Sequence, residues 1–161
     1  MNLLHISSAA VWVDFLVILI SRFYPMTTAL DTWYKQFQAV AVINDCLVII
    51  LGILLAQFIY PKANVTTLAL VSVIIQVIHD SLFYVGVILP LPKGHNVMMD
   101  LFKKYAAEGG YKIILADSAM IGSTVFLADH LSKYNFEIVS FVGLLGVYAL
   151  TYMIYTRPAT R

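Results

Sequence analysis

Apolar residues run through this chain in five long blocks, at about 6–24, 38–60, 66–89, 112–131 and 136–156. Each block has the roughly 20 residues that an α-helix needs to cross a bilayer. Pro25, Pro61, Pro90 and Pro158 fall just outside four of the ends, where a missing N–H costs little. The pattern predicts an all-α polytopic membrane helical bundle of five transmembrane helices, formed as a single integral membrane domain over residues 1–161. No internal repeat is evident between the blocks. Two connections, "YPKANV" at 60–65 and "LSKYN" at 131–135, are short. The two on the opposite side, "PMTTALDTWYKQ" and "PLPKGHNVMMDLFKKYAAEGGYK", are longer and are read as loops with one exception.

The exception is a short amphipathic helix over about 96–108. Asn96 can cap its start, and Gly109-Gly110 supplies its stop. Met98, Leu101, Phe102 and Tyr105 recur at i, i+3, i+4 and i+7, while Asp100, Lys103, Lys104 and Glu108 are polar. Such a helix beside two spans is expected to lie in the lipid interface, with partner binding as the other use of its apolar face.

Composition agrees with the pattern. The chain is 61% hydrophobic and only 12% charged, whereas a soluble domain is about a quarter charged. The net charge of +1 comes with no basic run, so nucleic acid is not an expected partner; the lipid bilayer is. The lone Cys46 sits in an apolar block, which rules out a disulfide within this sequence and CxxC redox chemistry. The first block lacks a basic region before its apolar part and is expected to be a retained helix rather than a cleaved signal. There is no phosphate-binding loop, K⁺-filter sequence, H-E-x-x-H or G-x-S-x-G motif, and neither cofactor nor metal is expected. Asp129-His130 reads as a solvated helix end, and His95 as a loop histidine.

Let the end of the bundle holding the N-terminus be side A. It carries Lys62 and Lys133, while side B carries Arg22, Lys35, Lys93, Lys103, Lys104, Lys112, Arg157 and Arg161. The bias predicts a cytoplasmic side B, with the N-terminus outside and the C-terminus cytoplasmic. The sequon Asn64-Val65-Thr66 lies on side A, too close to the membrane to be expected in use. Trp12, Trp33, Tyr24, Tyr34 and Tyr60 sit near span ends, as an interfacial aromatic belt would.

The polar residues inside the blocks carry the candidate chemistry. Four spans hold a carboxylate each: Asp14, Asp45, Asp80 and Asp117. An ionisable group at a helix centre costs roughly 2.5–3.5 kcal/mol, so these are expected to face the bundle interior. Asp45, Asp80 and Asp117 fall at depths of roughly 7–14 Å from the side B end, at 1.5 Å per residue; Asp14 is nearer the middle of its span. Asn44 neighbours Asp45, Gln76 and His79 neighbour Asp80, and Ser118 neighbours Asp117. Lys112, one turn before Asp117, snorkels to the interface or leans inward. Three carboxylates in one low-dielectric pocket cannot all stay ionised, so at least one is expected to carry a proton at neutral pH and donate a hydrogen bond. Ser118 and Gly122 form a small-xxx-small pair, and Gly143 and Gly146 thin the last span for close packing.

Two resemblances bear on function. "LADSAM", Leu115 to Met120, resembles the second aspartate motif of lipoprotein signal peptidases, which would pair Asp117 with Asp80 or Asp100 as an aspartyl dyad. The G-N-x-x-D-R motif of that family is absent; the region reads "GHNVMMDLF". The order "IQVIHDSLFY" (75–84), "GHNVMMDLFKKYAAE" (94–108) and "ADSAM" (116–120) is similar to small multi-span membrane proteins of large double-stranded DNA viruses of algae and protists. That resemblance implies a virus-encoded membrane protein of an internal virion membrane, with copies of itself or other membrane and capsid proteins as partners. Two functional readings stay open. One is a non-enzymatic membrane or virion component with a buried Asp/His network. The other is an intramembrane acid–base site for proton or ion passage, or for binding or chemistry on a small amphiphile or lipid.

Overall fold

A computed structural model describes residues 1–24 and 26–156. Pro25, Arg157, Pro158 and Arg161, used above as span boundaries or charges, lie outside the described residues. The described chain is seven helices without a strand: α1 (Leu3–Phe23), α2 (Thr28–Phe37), α3 (Ala39–Ile59), α4 (Val65–Phe83), α5 (Val97–Gly109), α6 (Tyr111–Leu131) and α7 (Phe136–Tyr155). A π-helical turn, Tyr84–Ile88, extends α4. Helices α1, α3, α4 with its extension, α6 and α7 are long and apolar enough to cross a membrane.

The three spans that start on side A share one device. Asn2, Asn64 and Asn135 each cap a helix by accepting the backbone N–H of the residue three positions on, His5, Thr67 or Ile138. The two spans that start on side B have no side-chain cap. Each follows directly from a short amphipathic helix through one residue of positive φ: Gln38 (φ 48°) between α2 and α3, and Gly110 (φ 53°) between α5 and α6.

Helix α2 departs from the sequence reading, which treated residues 25–36 as a loop. Thr27 caps it through the Leu30 N–H, and Ala29, Leu30 and Trp33 form its buried face. The α5 face also departs from expectation. Leu101 joins Ala29, Leu30, Trp33 and Ala41 in one apolar cluster, with Met98, Phe102 and Tyr105 packed against it. Helix α5 therefore turns its apolar face to protein rather than to lipid. Together α2 and α5 form a cap over the side B end. Glu108 of α5 ties them, accepting from the Thr28 hydroxyl (2.7 Å) and the Ala29 N–H (3.0 Å).

The order span, amphipathic helix, positive-φ hinge, span occurs twice, as α1–α2–α3 and α4–α5–α6. Exchanging the two units maps their main packing pairs onto each other. Helix α1 packs on α3 and α6, and α4 packs on α6 and α3; α3 meets α6, and α2 meets α5. Buried positions follow at a fixed offset of 72 residues: Ile49 and Ile121, Ile53 and Val125, Ala56 and Ala128. The repeat is invisible in residue identities because packing fixes only the face and the approximate volume of a buried side chain. These pairs belong to a dry core on the side A half, which also holds Ile6, Ala9, Ala10, Leu68 and Ala69.

Helix α7 stands outside the repeat and packs on α1. Ser8 Oγ and Trp12 Nε1 donate to the carbonyl oxygens of Val139 (3.3 Å) and Val142 (2.9 Å), and Arg22 donates to that of Met153. Close approach depends on glycine. A Cβ at Gly143 would fall 2.5 Å from Ser8 Oγ, and one at Gly146 2.8 Å from Val11 Cγ1.

Candidate functional site

The repeat places the acids. Asp45 and Asp117 each lie six residues after the first residue of α3 and α6. Asp14 and Asp80 lie in the side B halves of α1 and of α4 with its extension. Each unit thus contributes one carboxylate from each of its two spans, and one tyrosine from its cap helix, Tyr34 or Tyr105.

In the first unit these groups are joined. Asp45 accepts from Trp33 Nε1 (3.3 and 3.2 Å to its two oxygens) and from the Tyr34 hydroxyl (2.9 Å). The same hydroxyl stands 3.5 Å from Asp14 Oδ1. Asp14 is fully buried, and its Oδ2 has no hydrogen-bond partner. Trp33 and Tyr34, read from the sequence as belt aromatics, instead point into the bundle; Trp33 is only 4% exposed. Helix α2 follows α1 and folds back over the side B end of the bundle, which turns these rings inward.

In the second unit the groups are near one another but not bridged. Asp80 Oδ1 accepts from Gln76 Nε2 (2.8 Å), one turn earlier on α4, and lies 3.0 Å from His79 Nδ1; its Oδ2 is buried without a partner. Asp117 is partly buried and accepts no hydrogen bond from another of the described residues. Tyr105 bonds to neither acid. Desolvation, then the carboxylates of Asp117, Asp45 and Asp80, hold its phenol above the ordinary value. Desolvation and the neighbouring Asp45 likewise hold the Tyr34 phenol well above its ordinary value.

A line of rings joins the two units on side B: Trp33 against Phe102 (4.9 Å between centroids), Phe102 against Phe83 (6.4 Å), and Phe83 stacked on His79 (5.8 Å). Of the remaining sequence candidates, Asn44 and Ser118 make no hydrogen bond to these acids, and Lys112 is exposed rather than turned inward. Asp100 accepts the Gly94 N–H (2.8 Å) and staples the loop before α5. Ser72, two turns before Asp80 on α4, is fully buried with an unpartnered hydroxyl that the sequence reading did not single out. Among the described residues, no group of three or more His, Cys, Asp and Glu is placed to hold a metal ion.

Sequence reasoning missed Trp33, Tyr34 and Tyr105. A signal for the first two was present: Thr27 as a cap, then Leu30, Trp33 and Phe37 at i, i+3 and i+7. No protein-family model matches the chain, and no curated protein or solved structure is significantly similar to it.

Proposed function

We propose that the protein is a non-enzymatic multi-pass membrane component, and that its buried acids serve as the socket for the α2–α5 cap. The observation that carries this reading is Asp45, whose three hydrogen-bond contacts all come from Trp33 and Tyr34 of the cap. The lysine and arginine bias supports a cap on the cytoplasmic face. The similarity of 75–84, 94–108 and 116–120 to membrane proteins of large DNA viruses supports a place in a virion membrane, beside further copies or other membrane and capsid proteins. The proteome of purified particles tests that location, and absence of the chain from it refutes it.

The socket is tested by comparing Asp45→Leu with Asp117→Leu. The first leaves two donors without an acceptor, at about 1–3 kcal/mol each, and is expected to release α2, read as faster amide exchange over 28–37. The second orphans no donor and is expected to stay within about 1 kcal/mol of wild type. Equal effects from the two substitutions would refute the socket. A second reading, an acid–base site, is favoured by one specific observation: Asp14 Oδ2 and Asp80 Oδ2 are buried without partners, whereas a purely structural network would be closed.

A further inference from the structure

A phenol has one hydroxyl hydrogen, and Tyr34 faces two carboxylates. The short contact, 2.9 Å to Asp45 Oδ2, takes that hydrogen. Asp45 is then the acceptor-only member, and Trp33 Nε1 lies within reach of both of its oxygens. The contact between Tyr34 and Asp14 Oδ1 therefore needs a second proton, and Asp14 is the group that can carry it. The surroundings of Asp14 agree. It is fully buried, and no lysine or arginine among the described residues pairs with it. Its unpartnered Oδ2 is costly as part of an anion but much cheaper as the carbonyl oxygen of a neutral acid.

We propose that Asp14, Tyr34 and Asp45 form a proton relay between the middle of the bundle and its side B face. In the resting arrangement Asp14 bears the proton on Oδ1 and points it at the Tyr34 oxygen. Tyr34 donates its own hydrogen to Asp45. In transfer, the Tyr34 O–H bond breaks as an O–H bond forms on Asp45 Oδ2. The Asp14 O–H bond breaks as its proton replaces the one that Tyr34 gave up. One proton has then moved from Asp14 to Asp45, Tyr34 is again a neutral phenol, and no oxidation state has changed. The 3.5 Å gap exceeds the ordinary 2.5–3.0 Å range for O–H···O bonds, so its closure gates the transfer.

The relay is closed toward side A. Toward side A, Asp14 is followed by the dry packing of Ile6, Ala9, Ala10 and Ile53. On the other side the titratable groups around the relay are Cys46 on α3, Tyr105 on α5, Asp117 on α6, and His79 and Asp80 on α4. The second unit has the same residue types without a bridging hydroxyl, so it is an internal example of the acids without the relay.

This inference uses the side chains of the cap socket but does not depend on the socket's being the function, and the two are read by different observables. The test is infrared spectroscopy of the full chain in lipid nanodiscs, following deuterium exchange of a protonated carboxylic acid at neutral pH. Wild type is expected to show such an acid band, and Asp14→Asn to lose the Asp14 component of it. Tyr34→Phe keeps the ring and removes the bridge. Asp45→Asn keeps an acceptor for Trp33 and Tyr34 but accepts no proton. Each is expected to slow exchange of the Asp14 band by about 10²-fold, the lower end of what a positioned proton donor or acceptor contributes. Amide exchange over 28–37 reports separately that the cap stays docked. If Tyr34→Phe does not fold, Asp45→Asn decides. Absence of the band in wild type, its undiminished intensity in Asp14→Asn, or wild-type exchange in the folded relay variants would overturn the relay.

Discussion

Residues 3–59 and 65–131 build the same three-helix unit, and the two copies treat the same pair of acids differently. In the first, α2 delivers a tryptophan and a tyrosine to Asp45, and the tyrosine reaches on to Asp14. In the second, α5 delivers Tyr105, which touches neither Asp80 nor Asp117 by a hydrogen bond, and Asp80 turns to Gln76 and His79 of its own helix. The apolar halves of α3 and α6, by contrast, correspond at three buried positions, 49 with 121, 53 with 125 and 56 with 128. A dry core asks only for volume on the correct face. An acid in the membrane asks for a particular donor at a particular distance, and only one copy supplies it. Shared architecture with unshared polar contacts is the pattern expected when packing sets the fold and polar groups set what each half does.

The largest test of this comparison lies in the apolar half. Ile53 and Val125 occupy equivalent, fully buried sites. Ile53→Ala is expected to cost about 2–4 kcal/mol and Val125→Ala about 2 kcal/mol, in proportion to the cavity each leaves. Reversible unfolding in mixed micelles measures both. A large cost at one site and none at the other would show that the units do not share a packing scheme.

The hinges sharpen the comparison at a smaller scale. Gln38 and Gly110 hold the same backbone conformation, with φ near 50° and ψ of −121° and −134°. This is a region that glycine enters without strain and other residues do not. Gln38→Gly is expected to stabilise by about 1 kcal/mol, and Gly110→Ala to destabilise by about 1–3 kcal/mol. Thermal unfolding of the two variants measures the pair. Opposite signs support equivalent hinges, while equal signs would show that each hinge is held by its own surroundings.

Much of this fold was legible in the chain and some of it was not. The five spans were readable because about 20 apolar residues in a row have few other uses. Helix α5 was readable from Asn96, its heptad-like spacing and the double glycine. Helix α2 was passed over because ten residues with half-polar composition resemble a loop. Its meaning lay in where Trp33 and Tyr34 point, and that depends on the backbone folding back at Gln38. The four acids stood out as ionisable groups in apolar blocks. Their division into Asp14 with Asp45, and Asp80 beside Asp117, rests on helix order around the bundle, which spacing along the chain does not encode.

The smallest effect concerns how the cap is fastened, and it again separates the two units. Glu108 reaches from α5 to the start of α2, whereas Gln36, at the equivalent place in α2, makes no hydrogen bond to α5. The Ala29 N–H, then the Thr28 hydroxyl, hold the Glu108 carboxyl below the ordinary glutamate value of 4.5, with Lys104 at 3.6 Å adding a weaker pull. A carboxyl lowered in the folded state favours folding most where it is ionised in both states. Its contribution is therefore complete above the ordinary glutamate range. It fades as pH falls through that range to the lower folded value. Cap docking, followed by amide exchange over 28–37, is thus expected to be constant at neutral pH and to weaken only under acid conditions. Glu108→Gln keeps one acceptor oxygen but removes the titration, so its exchange should lose this acid dependence while remaining close to wild type at neutral pH. An unchanged acid response in Glu108→Gln would move the control of the cap from this clamp to the buried acids beneath it.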